Sequence, residues 1–173
     1  ANNNVIVCGY YSDTCEFQPG VGAARRVGLG AADAYVANYD STGNYRGVIT
    51  YGAPGEYVVA WDVATDNNGY IYATGHASSN FDAGNDIGNP QIIDVAGKNA
   101  YLLKYDLYGN FYVGSNISYG AASVTGYCTH VDAQGGILVG GELQGTGDMD
   151  PSVLTKNLTS FSGNRDAFWA RYF

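Results

Sequence analysis

The chain is poor in the residues that build helices, bind polyanions or hold metals. Leu, Glu and Lys, the staple helix formers, are scarce. Lys and Arg together number 8 against 16 Asp and Glu, a formal net charge of −8 over 173 residues. A nucleic-acid partner needs a basic footprint, and there is none; anionic membrane surfaces are disfavoured for the same reason. No apolar run approaches the ~20 residues that span a bilayer, so membrane insertion is not expected. The two histidines, His76 and His130, lack a repeated carboxylate partner and make a poor metal pair. No nucleophile elbow or other catalytic signature stands anywhere, so the chain does not read as an enzyme.

What is abundant is glycine and tyrosine, 25 and 16 residues. Glycine supplies turns, and tyrosine fits a half-buried pleated surface. With 46% apolar residues the composition is that of a globular all-β protein rich in hairpins. The acidic balance suits solubility, cations or neutral partners such as sugars.

The chain also repeats itself. Asp33-Ala34-Tyr35-Val36-Ala37-Asn38-Tyr39-Asp40 returns as Asn99 to Asp106 and again as Asp166 to Phe173. Val5 to Gly9 matches Ile71 to Gly75 and Ile137 to Gly141, and Gly9, Gly75 and Gly141 stand 66 residues apart. A period of this size means one supersecondary unit copied and stacked. Tyr35, Tyr101 and Phe168 are expected at equivalent buried sites, as are Ile71 and Ile137. The three glycines should mark close backbone approach.

Candidate strands run over Tyr35–Tyr39, Arg46–Tyr51, Val58–Thr65 and Tyr70–His76. Asp40, Asp66, Asp106 and Asp132 each precede a Gly-containing turn, so they read as turn-forming residues and not as a catalytic or metal set. A longer loop follows each glycine strand. Each holds one large apolar residue, Phe17, Phe81 or Met149, expected to pin the loop to the core.

The unit is thus four antiparallel strands closed by a long loop. The chain divides into a partial unit at 1–32, repeats at 33–98 and 99–165, and a partial unit at 166–173, all in one domain. Two complete units are too few for a closed propeller. The expectation is a compact multi-sheet prism or sandwich, or a ring or fibre completed by other copies. Val5 and Val7 at one end, and Phe168, Trp169 and Phe173 at the other, are the expected assembly edges.

Candidate sites are few. Asp148 and Asp150, with Asp82 and Asp86 in the matching loop, are hard oxygen ligands suited to calcium, though without EF-hand spacing. No other cofactor is implied. Cys8 and Cys15 flank Tyr11-Ser12, where a hairpin would set them opposite each other for a disulfide, leaving Cys128 alone. Sequons at Asn116 and Asn157 are glycosylation candidates. Trp61, Tyr127 and Tyr-rich strand ends are possible platforms for glycans. The start at Ala1 has the look of a mature terminus left by signal-peptide removal.

Asp33-Ala-Tyr-Val-Ala-Asn-Tyr-Asp-Ser-Thr-Gly-Asn44, then Tyr51-Gly52, then Thr65-Asp66 through Ile71-Tyr72 to Gly75, then Phe81-Asp82, resembles the bacterial SBBP-type β-propeller repeat. Asp148 to Pro151 and Asn157 to Ser160 resemble that family's loop. The resemblance implies a secreted or surface-attached protein without catalysis. The expected role is therefore an extracellular structural protein, a self-assembling subunit of an appendage or fibre. The alternative is a secreted carbohydrate- or protein-binding module using the long loops.

Overall fold

The computed structural model describes residues 3–84, 90–95, 97–120, 122–150 and 154–172. Its strands are β1 (Val5–Tyr11), β2 (Thr14–Glu16), β3 (Arg25–Val27), β4 (Asp33–Tyr39), β5 (Tyr45–Tyr51) and β6 (Val58–Thr65). There follow β7 (Ile71–Ala77), β8 (Phe81–Asp82), β9 (Ile92–Ile93), β10 (Asn99–Tyr105), β11 (Phe111–Asn116) and β12 (Tyr119–Gly120). The last are β13 (Ser123–Val131), β14 (Ile137–Gln144), β15 (Thr146–Asp148), β16 (Asn157–Thr159) and β17 (Arg165–Tyr172). Among the described residues no helix is long and apolar enough to cross a membrane.

Three antiparallel sheets carry the fold: β1-β4-β5, β11-β10-β7-β6 and β13-β14-β17. None closes into a barrel, so the protein is an all-β multi-sheet stack. The 66-residue sequence repeat is out of phase with the sheets. The four strands expected to form one unit, β4 to β7, are divided: β4 and β5 lie in the first sheet, β6 and β7 in the second. The cause is the segment 52–57, which steps between sheets. Pro54 and Gly55 (φ 76°) turn the chain, and Ala31 and Val58 bond to Glu56 and Ala32 in a parallel crossing.

The glycine strand pairs instead with the aromatic strand of the next repeat. Gly9 faces Tyr35, Gly75 faces Tyr101, and Gly141 faces Phe168 across the ladder. In each case the ring covers the glycine, at a distance no Cβ would permit. In the second and third sheets the other side is equally tight. A Cβ on Gly75 would overlap the Val59 carbonyl, and one on Gly141 the Thr125 carbonyl. Both carbonyls belong to β-bulges, at Ala60/Asp62 in β6 and Gly126/Cys128 in β13. Tyr101 uses its hydroxyl here, donating to Val59 O at 2.9 Å.

Strand alternation fills two cores. Ala34, Val36, Ile49 and Tyr51 of the first sheet meet Ile71, Ala73, Tyr101, Leu103 and Tyr105 of the second. The Tyr51 and Tyr101 hydroxyls pair at 3.1 Å, and burial pushes both phenols well above their usual range. Between the second and third sheets lie Tyr72, Ile117, Val124, Ile137, Val139 and Phe168. Tyr35 departs from expectation. It is only half-buried, because the outer face of the first sheet is covered by segment 12–28, whose short β2-β3 ribbon is smaller than a full sheet. Phe17 and Ala24 hold that segment against Ala37 and Val48. Phe17, Phe81 and Met149 are all buried, as loop anchors should be.

The turn aspartates behave alike. Each carboxylate accepts backbone N–H groups two and four residues on, for example Asp66 from Asn68 and Tyr70, both at 2.9 Å. Gly43, Gly69, Gly109 and Gly135 supply the positive φ that closes each turn.

Replacing Gly75 by Ala should therefore cost about 2–3 kcal/mol, since neither Tyr101 nor the Val59 bulge can withdraw freely. Gly47, which has open space where a Cβ would go, should accept Ala within about 0.5 kcal/mol. Urea unfolding of the two variants provides the comparison, and equal losses would contradict the packing described.

Candidate functional site

The bulges that tighten the glycine pairs also lift two aromatic side chains. Trp61 and Tyr127 are the extra residues of the β6 and β13 bulges and occupy equivalent repeat positions, 66 apart. They come together where the three sheets meet. The Tyr127 ring centroid lies 6.0 Å from that of Trp61 with the planes at 59°, and that of Tyr10 of β1 lies 6.0 Å from it at 72°. All three rings are exposed to solvent. The result is a cradle with the Trp61 indole flanked by two tilted phenols.

Its orientation is fixed from the side. Trp61 and His76 lie side by side with their rings 24° apart and their centroids 6.1 Å apart, and the Trp61 Nε1–H donates edge-on to His76 Nδ1 at 3.0 Å. That bond requires Nδ1 to be unprotonated. Burial, reinforced by Lys98, lowers the His76 pKa to about 4, so the imidazole is a neutral acceptor at physiological pH. Tyr127 has the matching neighbour in Glu142: desolvation and then Glu142 raise the phenol's pKa, and Glu142 also pairs with Arg165 at 3.3 Å. Tyr10, His76 and Glu142 are themselves equivalent in the repeat, 66 residues apart.

The other sequence candidates are placed as follows. Asp82 accepts N–H groups from Gly84 and Gln91, both at 2.8 Å, and Asp148 accepts from Asp150 at 3.1 Å and Lys156 at 2.7 Å. Both carboxylates thus close their own loops. Asp86 lies outside the described residues. No group of three or more His, Cys, Asp or Glu with metal-holding geometry occurs among the described residues.

The hairpin proposed for Cys8 and Cys15 is corrected. Cys8 faces Val36 and Cys15 faces Arg26, because β1 pairs with β4 and β2 with β3. All three cysteines are free thiols, and burial raises Cys8 to about 11. Asn116 is also corrected as a glycan site. It is 4% exposed and its amide donates to Ser118 O at 2.6 Å, so the folded sequon has no room for a sugar. Asn157 is exposed on β16.

Of the expected edge residues, Val5, Val7 and Trp169 are exposed, while Phe168 is buried over Gly141. Phe173 lies outside the described residues. β17 pairs with β14 alone, and β1 with β4 alone, among the described residues. Beside the free edge of β17 runs a groove of about 570 Å³ lined by Met149, Leu158, Trp169 and Tyr172. Beside β10, the equivalent place in the second sheet is filled by β11. His130 is exposed and apart from the cradle's contacts.

Sequence reasoning named Trp61 and Tyr127 but missed Tyr10, His76 and Glu142. The common 66-residue spacing of each set was the available signal. No family model matches the chain, and a search of the curated proteins finds none similar to it.

The Trp61–His76 bond gives a pH test. An unfolded histidine binds a proton near 6.5, whereas His76 in the fold resists it down to about 4. Stability present above pH 6.5 should therefore fall as pH drops through that window, by about 1 kcal/mol for a ring still partly in water. Urea unfolding of wild type and His76→Gln across the window checks this. The difference between them should shrink toward acid, and parallel curves would contradict a neutral His76.

Proposed function

We propose that this chain is an extracellular structural subunit that joins copies of itself head to tail, the third sheet of one against the first sheet of the next. The observation that carries the reading is the bare side of the third sheet. Trp169 projects from it, 74% exposed, above a strand with one unpaired edge and a groove alongside. Cys128 and His130 are exposed on the same sheet. At the other end Val5 and Val7 are exposed on β1, and the 12–28 loop leaves Val21 and Val27 in solvent.

Two different surfaces are thus unsatisfied, one at each end of the stack. A contact between unlike surfaces propagates into a filament unless its rotation closes a ring. A free strand edge adds main-chain hydrogen bonds to the side-chain contact. Within the molecule, sheets already stack through such apolar faces, so a neighbouring copy repeats a contact the sequence is suited to make. The resemblance to SBBP-type repeats supports a secreted or surface-attached setting, and the exposed Asn157 sequon is compatible with it.

Sedimentation and negative-stain imaging of the purified chain should reveal species growing with concentration. Trp169→Lys should weaken association about tenfold or more. A wild-type chain that stays monomeric at high concentration would overturn the proposal. So would a small oligomer of fixed size, which would replace the fibre with a closed ring.

A further inference from the structure

We propose that the Tyr10–Trp61–Tyr127 cradle is a binding site for neutral pyranose sugars. This site is separate from the assembly surfaces, and the inference does not rest on them. Three observations converge on it.

The first is that the aromatic exposure is built. A β-bulge costs a ladder position and re-aims one side chain. Here two bulges at equivalent places each lift an aromatic residue out of the sheet, and Tyr10 arrives from a third strand to meet them. Exposed single aromatics are ordinary, whereas three converging from three sheets form a surface feature that water alone does not reward.

The second is preorganisation. Trp61 has its indole N–H satisfied by His76 Nδ1 at 3.0 Å, an in-plane bond that holds the two rings side by side, 24° apart. Little side-chain freedom remains to be lost when a ligand arrives. The indole and the flanking phenols offer an apolar surface to the C–H face of a pyranose. The phenol hydroxyls offer donors and acceptors to its equatorial hydroxyls.

The third is charge. A cradle of aromatic rings can also hold a quaternary ammonium through the ring quadrupoles, and here a neighbouring cation weighs against that ligand. Glu142 is already paired with Arg165, His76 is neutral, and Lys98 lies near enough to depress it. The chain's net charge of −8 in turn disfavours anionic ligands. Neutral carbohydrate is the class that remains.

The site lies on strands β1, β6 and β13 rather than on the long loops, and it joins Tyr10 to Trp61 and Tyr127, the glycan platforms expected from sequence.

The test uses the Trp169→Phe chain, which leaves Trp61 as its only tryptophan because the sequence has two. Its fluorescence is titrated with a panel of neutral hexaoses of glucose, N-acetylglucosamine, mannose, galactose and xylose, and with choline as the cationic control. At least one hexaose should give a saturable change with a Kd of about 1 mM or tighter. Trp61→Ala and Tyr127→Ala, checked for fold by circular dichroism and assayed by calorimetry, should each lose at least about tenfold in affinity. Tyr10→Ala serves if either fails to fold. Saturation by choline without any sugar would overturn the proposal, as would silence across the panel or undiminished binding by all folded variants.

Discussion

The structure depends on a steric fit between an aromatic ring and a glycine across one ladder step. In the second and third sheets the ring lies on one side of the glycine and a bulge carbonyl on the other, leaving no space for a methyl group. This fit dictates which strands are neighbours. Tyr101 can cover Gly75 only if β10 pairs with β7, so the long loop between them must return the chain to the same sheet. The short segment 52–57 is then left to cross to the next sheet. Topology follows from one contact made three times, and the loop's length is a consequence of it.

The same contact reaches the surface. The Val59 carbonyl that crowds Gly75 accepts the Tyr101 hydroxyl, and the bulge carrying it turns Trp61 outward. Core and cradle are thus two sides of one backbone irregularity. A substitution that relaxed the bulge to improve the ladder would withdraw Trp61 from solvent and detach it from His76. The exposed rings are therefore coupled to the interior through main-chain geometry.

Much of this was legible in the sequence because the relevant physics is local. The aspartate turns need only five residues, and their carboxylates and glycines perform the expected tasks at all four hairpins. The 66-residue spacing marked the glycines and the buried Tyr101, Phe168, Ile71 and Ile137. What could not be read was the assignment of strands to sheets, since a four-stranded repeat looks the same wherever the sheet boundary falls. That one ambiguity explains several of the differences. Cys8 and Cys15 seemed cross-strand partners because β1 was expected to turn back on its own successor. Asn116 reads as available in sequence because nothing local signals its burial beside Asn99 and Ser118, where both amides donate to the Ser118 carbonyl. Tyr35 differs from its equivalents because its face of the first sheet is covered only by the short β2-β3 ribbon and its loop. For the cradle, period gave Trp61 and Tyr127, but only the stacking of three sheets brings Tyr10 to them.

The phase shift between repeat and sheet also bears on how such a chain can lengthen. Tandem duplication of a 66-residue segment beginning at an Asp-Ala-Tyr strand would deliver two strands to one sheet and two to the following one. The duplicated segment is a unit of inheritance but not a unit of folding, because its halves complete themselves only on their neighbours. Each added copy would be stitched to those before and after it by shared sheets, so an array could grow without ever acquiring a detachable module. A genetic deletion of one whole period would be repaired by rejoining two half-sheets of the same design, whereas a deletion of half a period would leave aromatic residues with no glycine to cover.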